Sequence, residues 1–150
     1  MTDENNILNL MIRHHALLET MFILFRDSAK ESSSNVGSLL SELKWETRKH
    51  FFTEESAIFD YIPMENMDVL ETINQLKDEH LEMLSQLEKL AQKLPDIDLD
   101  ELEKFYNLLE SHREVEEKKL YPKLDKELGK LQKHQIVSHI EQIPISAYKK

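Results

Sequence analysis

His50-Phe51-Phe52-Thr53-Glu54-Glu55 and His112-Arg113-Glu114-Val115-Glu116-Glu117 are the two stretches whose reading decides the fold of this 150-residue chain. Each carries a histidine with a glutamate four residues on. On an α-helix that spacing puts both side chains on one face, about 40° apart and roughly one turn from each other. A further histidine precedes each stretch, His15 the first and His80 the second. The same order, lone His then His-x-x-x-Glu-Glu, therefore occurs twice. The lone histidines are 65 residues apart (15 to 80) and the paired ones 62 apart (50 to 112). Such near-constant offsets mark a duplicated helical hairpin.

Spacing alone is weak evidence. Acids make up 29 of 150 residues, so chance would give one or two of the seven histidines an acid four residues on. Three have one, counting His15 with Glu19. Order and apolar setting carry the argument instead. Only two Gly and four Pro argue against a turn-rich or β-rich fold, and 32% charged with 40% hydrophobic residues suits amphipathic helices. The absence of cysteine excludes disulfides, thiol catalysis and thiolate metal sites, so any metal must be held by imidazole and carboxylate. No apolar run approaches the ~20 residues of a membrane span. Met1-Thr2-Asp3-Glu4-Asn5-Asn6 lacks the regions of a signal peptide, which makes a cytoplasmic protein the expectation. The net charge of −10 disfavours nucleic acid and anionic membranes as partners.

Four long helical patterns follow from apolar periodicity. The first covers about 5–29, with Leu8, Met11, His15, Leu18, Phe22 and Phe25 at helical spacing, and a Ser-rich break follows. The second covers about 36–60, with Leu39, Leu43, His50, Glu54, Ala57 and Ile58, and Pro63 ends it. The third covers about 68–94, striped by Ile73, Leu76, His80, Met83, Leu84, Leu87, Leu90 and Leu94. Asp98 is the expected N-cap of the fourth, about 99–128, which carries Leu102, Phe105, Leu108, Leu109, His112, Val115, Glu116 and Leu120. Pro122 should kink or shorten it. The tail, 129–150, carries Leu131, Ile136, Ile140 and Ile143, enough for a short helix packed outside. Short connections imply antiparallel neighbours. The expected fold is an all-α, up-down-up-down antiparallel four-helix bundle with a short C-terminal extension, one domain over 1–150.

The histidines lie in line with the apolar stripes, so they can meet inside the bundle. Four imidazoles and two carboxylates are a sensible ligand set for two iron ions, since carboxylate can bridge metals. An ionised carboxylate buried without a partner would cost several kcal/mol, and a metal ion supplies the partner.

The pattern resembles the hemerythrin-like (HHE) family. The matching segments are His15-Ala16-Leu17-Leu18-Glu19, His50-Phe51-Phe52-Thr53-Glu54-Glu55, Glu79-His80-Leu81-Glu82-Met83-Leu84, and His112 to Glu117 followed by Leu120-Tyr121-Pro122. The resemblance implies a four-helix bundle with a non-haem di-iron centre carrying an oxo or hydroxo bridge. It implies His15, His50, His80 and His112 as terminal ligands and Glu54 and Glu116 as bridging carboxylates. The oxygen carriers of the family have a fifth histidine where this chain has Leu84, and an aspartate where it has Glu117. The four-His, two-Glu set is more similar to members tied to nitric oxide response and repair of iron–sulfur centres. With one ligand fewer, one iron is implied to have an open position for O2, NO, peroxide or water. The implied function is binding or sensing of O2, NO or redox state. The alternative is a di-iron enzyme acting on peroxide or NO, or an iron donor in cluster repair.

Several residues carry plainer expectations. Glu55 and Glu117 lie ~140° from their histidines, which reads as a solvated face, and Glu19 reads likewise. His14 competes with His15, having its own stripe of Ile7, Leu10, Leu17, Met21 and Leu24, and family spacing favours His15. His134 and His139 read as surface residues. Trp45, Tyr61, Tyr106 and Tyr121 read as packing.

Overall fold

The computed structural model describes residues 6–62 and 66–142, and every described element is helical. α1 is Ile7–Lys30 and α2 is Val36–Thr53. α2 runs on through a π-helical turn, Glu54–Ile58, and a 3-10 turn, Phe59–Tyr61. α3 is Met67–Gln92 and α4 is Leu99–Val115, followed by a second π-helical turn, Glu116–Leu120. α5, Tyr121–Glu127, and α6, Lys130–Gln142, complete the chain, while Ile143 lies outside the described residues.

Capping explains where the helices start. Asn6 accepts from the Asn9 N–H, Asn66 from Val69, and Asp98 from Asp100 and Glu101. Asn35, ahead of α2, instead accepts from the hydroxyls of Ser28 and Ser33, so the Ser-rich loop ties itself together rather than capping the helix. Pro122 falls in the first turn of α5, where its missing N–H is no loss.

α1 packs on α2, α2 on α3, α3 on α4 and α4 on α1. The apolar stripes meet as two clusters. One joins Phe22, Phe25, Leu40, Leu43, Met83, Leu87, Leu102 and Phe105. The other joins Ile7, Met11, Ala57, Ile58, Ile73, Leu76, Leu120 and Tyr121, and α6 caps it with Ile136 and Ile140. Along each helix the histidines and glutamates fall between the two, so the fold positions one polar layer inside an apolar column. Among the described residues, α1 alone is long and apolar enough for a membrane span, its charged residues being too few to offset its apolar ones. Its Ile7, Met11, Leu18, Phe22 and Phe25 are spent on the bundle core.

Candidate metal centre

His15, His50, Glu54, His80, His112 and Glu116 are all buried, the two glutamates completely. Each is delivered by a different stretch of the repeat: His15 from α1, His50 from α2, His80 from α3 and His112 from α4. The glutamates come from the first residue of each π-helical turn. A π turn adds a residue to the helical turn and is frequent at functional sites. Here both fall where a carboxylate must enter the core.

All four Nε2 atoms face the carboxylates. His50 and His80 place theirs 3.4 and 3.1 Å from Glu54 Oε1. His15 lies 3.1 Å from Glu116 Oε1, and His112 lies 3.2 Å from Glu116 Oε2. The six side chains form two compact foursomes, His15–His50–Glu54–Glu116 and Glu54–His80–His112–Glu116, each with ligand atoms within 4.8 Å of one another. Both glutamates belong to both foursomes. His15 Nε2, His112 Nε2 and Glu116 Oε1 are buried with no hydrogen-bond partner among the described residues. Buried polar atoms are normally satisfied, so three orphans converging on one spot fit a cation site.

A model of the hemerythrin HHE cation binding domain matches residues 6–124. The chain belongs to this family. No curated protein and no solved structure matches it. As a hemerythrin-type domain it is a cation-binding helical bundle, and its buried His and Glu groups are able to hold a metal.

The layer behind the six differs from the sequence-based expectation. Glu117 is 2.6 Å from His15 Nδ1, Glu55 is 2.7 Å from His80 Nδ1, and Glu79 is 2.8 Å from His112 Nδ1. Glu55 and Glu117 are therefore not merely solvated residues of a polar face. One residue on from an inward glutamate is a rotation of about 100°, which points at the neighbouring helix rather than at water. A carboxylate on Nδ1 fixes the tautomer and aims Nε2 inward. Glu19, read as solvated, is partly buried and binds Arg113, which also holds Glu110. His15, not His14, joins the site. His14 is half-buried, its ring centroid 6.2 Å from that of His50.

Tyr121 was expected to be packing alone. Its hydroxyl donates to Glu54 Oε2 and lies 3.3 Å from Glu116 Oε2, in full burial. The repeat signals only an aromatic ring there: Tyr121 follows His112 by the same nine residues by which Phe59 follows His50. Phe59 stacks near His80 at 6.1 Å, and Tyr121 sits 6.4 Å from His15. Tyr106 stacks on Phe22, and Lys49 lies over the Trp45 ring. His139 pairs with Tyr61 (2.7 Å) on the surface, and His134 is exposed.

Electrostatics follow from the crowding. Burial pushes the Glu54 carboxyl up, but His50, His80 and a hydrogen bond shared with Glu116 outweigh it and hold Glu54 well below the carboxylate range. Burial pushes His112 down, yet Glu116 and Glu79 lift it to about 10. His15 rises likewise through Glu116, Glu54 and Glu117 against its burial. Burial and the two carboxylates raise Tyr121 well above a normal phenol. His14 goes the other way, to about 4, through burial and the charges of His50 and His15.

Proposed function

We propose that this domain holds two non-haem iron ions and uses them to bind or sense O2, NO or redox state. His15 and His50 would hold one ion and His80 and His112 the other, with Glu54 and Glu116 available to both. The observation that carries this reading is that both glutamates belong to both foursomes. Imidazole and carboxylate suit iron, and six side chains give fewer contacts than two octahedral ions require, leaving room for a small ligand. The antiparallel up-down-up-down order fits the reading, since it brings the four histidines to one level from alternating directions.

When bound, iron supplies Lewis acidity and one-electron redox chemistry. The chain's own residues do the rest. Glu55, Glu79 and Glu117 orient three imidazoles. Leu18, Phe51 and Leu109, together with Glu19, Glu110 and Arg113, line the small cavity that touches His15, His50 and His112. Tyr121 holds a proton between the carboxylates. That buried hydroxyl favours one further reading, an enzyme acting on peroxide or NO, because such chemistry needs a proton placed at the site.

The test is an optical spectrum of iron-loaded protein in nitrogen, air, NO and peroxide. Reversible bands with O2 or NO support the binding role, and turnover of peroxide or NO supports the enzyme. A spectrum indifferent to all of them would refute both.

A further inference from the structure

Two halves related by a repeat should support their ligands alike, and here they do not. Three of the four histidines have a carboxylate behind them: Glu117 on His15, Glu55 on His80 and Glu79 on His112. His50 Nδ1 is buried and has no partner among the described residues.

The repeat shows what is missing. Glu79 immediately precedes the lone histidine of the second half, His80, and reaches across to the paired histidine, His112. The residue immediately before the lone histidine of the first half is His14. It sits beside the paired histidine of its own half, His50, as the symmetry demands. An imidazole there cannot bring the negative charge that a carboxylate brings. His14, His50, Lys49 and Thr53 also line a groove of about 420 Å3 between α1, α2 and α6. The cavity that touches His112 is far smaller, about 10 Å3.

We infer that the two metal positions are unequal: the ion held by His15 and His50 is the labile one, because His14 stands where a supporting carboxylate stands in the other half. This rests on the two-metal reading above. A carboxylate behind a ligating histidine is worth about 10–100-fold in metal affinity. The His15–His50 position should be weaker than its partner by that factor, and the groove beside His14 is its exchange route. The protein thus has a tight ion that keeps the site formed and a loose ion that comes and goes with supply.

The experiment is an anaerobic optical titration of the apo protein with cobalt(II). Two steps are expected, separated by about 10–100-fold. His50→Gln should abolish the weak step and spare the tight one. His14→Glu should strengthen the weak step towards the tight one. If His14→Glu fails to fold, as judged by circular dichroism, the converse swap Glu79→His serves, and should weaken the tight step towards the weak one. A single equivalent retained by His50→Gln and lost by His112→Gln also supports the inequality. Two equal steps, a weak step lost with His112→Gln instead, or swaps that move neither step would overturn it. A chain that binds no cobalt would overturn the two-metal reading itself.

Discussion

Stripped of metal, the domain should become more stable as the pH falls from about 8 to about 7, opposite to the usual expectation for a core full of histidines. His112 is lifted from 6.5 to about 10 by Glu116 and Glu79. A raised histidine holds its proton better folded than unfolded. Its contribution is complete below 6.5 and fades as the pH climbs towards 10. Between about pH 8 and pH 6 the linkage from His112 alone comes to about 2 kcal/mol, most of it gained by pH 7. His15 is raised too and adds in the same direction. Glu54 is depressed, so its contribution is lost only as the pH falls below the ordinary carboxylate range, and it is constant here. His14, pushed down to about 4, opposes: below 6.5 the unfolded chain takes a proton that the folded chain refuses. His14 is partly solvated, so screening discounts its opposition to less than about 1 kcal/mol, felt mainly between pH 7 and pH 6. The net gain is about 1–2 kcal/mol, or roughly 3–6 °C in Tm for a chain of this size. Calorimetry of chelator-treated protein at pH 8, 7 and 6 reads it directly. Glu79→Gln, which removes one support of His112, should flatten the rise. A melting temperature that is level or falls from pH 8 to pH 7 would refute the idea that these imidazoles carry their protons against the buried glutamates.

The other outcomes follow from the same geometry. Glu54→Ala and Glu116→Ala should each abolish stoichiometric iron binding, measured by elemental analysis, because each removes a group common to both foursomes. Glu55→Ala and Glu117→Ala should retain the fold but weaken metal binding about 10–100-fold by freeing the rings of His80 and His15; unchanged affinity in a competition titration would return them to the status of surface acids. Tyr121→Phe leaves buried carboxylate oxygens short of a donor, which costs about 1–3 kcal/mol. The loss should be larger in the apo than in the metal-loaded protein, and equal losses in thermal melts would show that the hydroxyl does not serve the site.

The buried His and Glu cluster of the candidate site was legible because its pattern is local. His50 with Glu54 and His112 with Glu116 are one-turn pairs, and the apolar stripes fix which way His15 and His80 face. The supporting carboxylates were not legible because they act between helices. An angle measured around a single helix sends Glu55 and Glu117 away from their own histidines and says nothing of the histidine next door. The π turns left no local signature either. Their hydrogen-bond register is set by where Glu54 and Glu116 must sit in the bundle, and ordinary helix formers adopt it. They interrupt the α-helical bonding after Thr53 and Val115, while the helical runs continue to Tyr61 and Glu127, close to the expected 60 and 128. Leu84, at the position of the oxygen carriers' fifth histidine, packs against the Phe22–Phe105 cluster. Tyr121 escaped for a simpler reason: a tyrosine in an apolar row looks like any aromatic until its hydroxyl is found on a carboxylate.

The most direct test of the account is the metal content of the full chain after anaerobic reconstitution with iron and removal of the excess. Six converging side chains, with Glu54 and Glu116 common to both foursomes, predict two irons per chain. Iron at trace level, or one ion whose binding survives the loss of either glutamate, would contradict the di-iron centre.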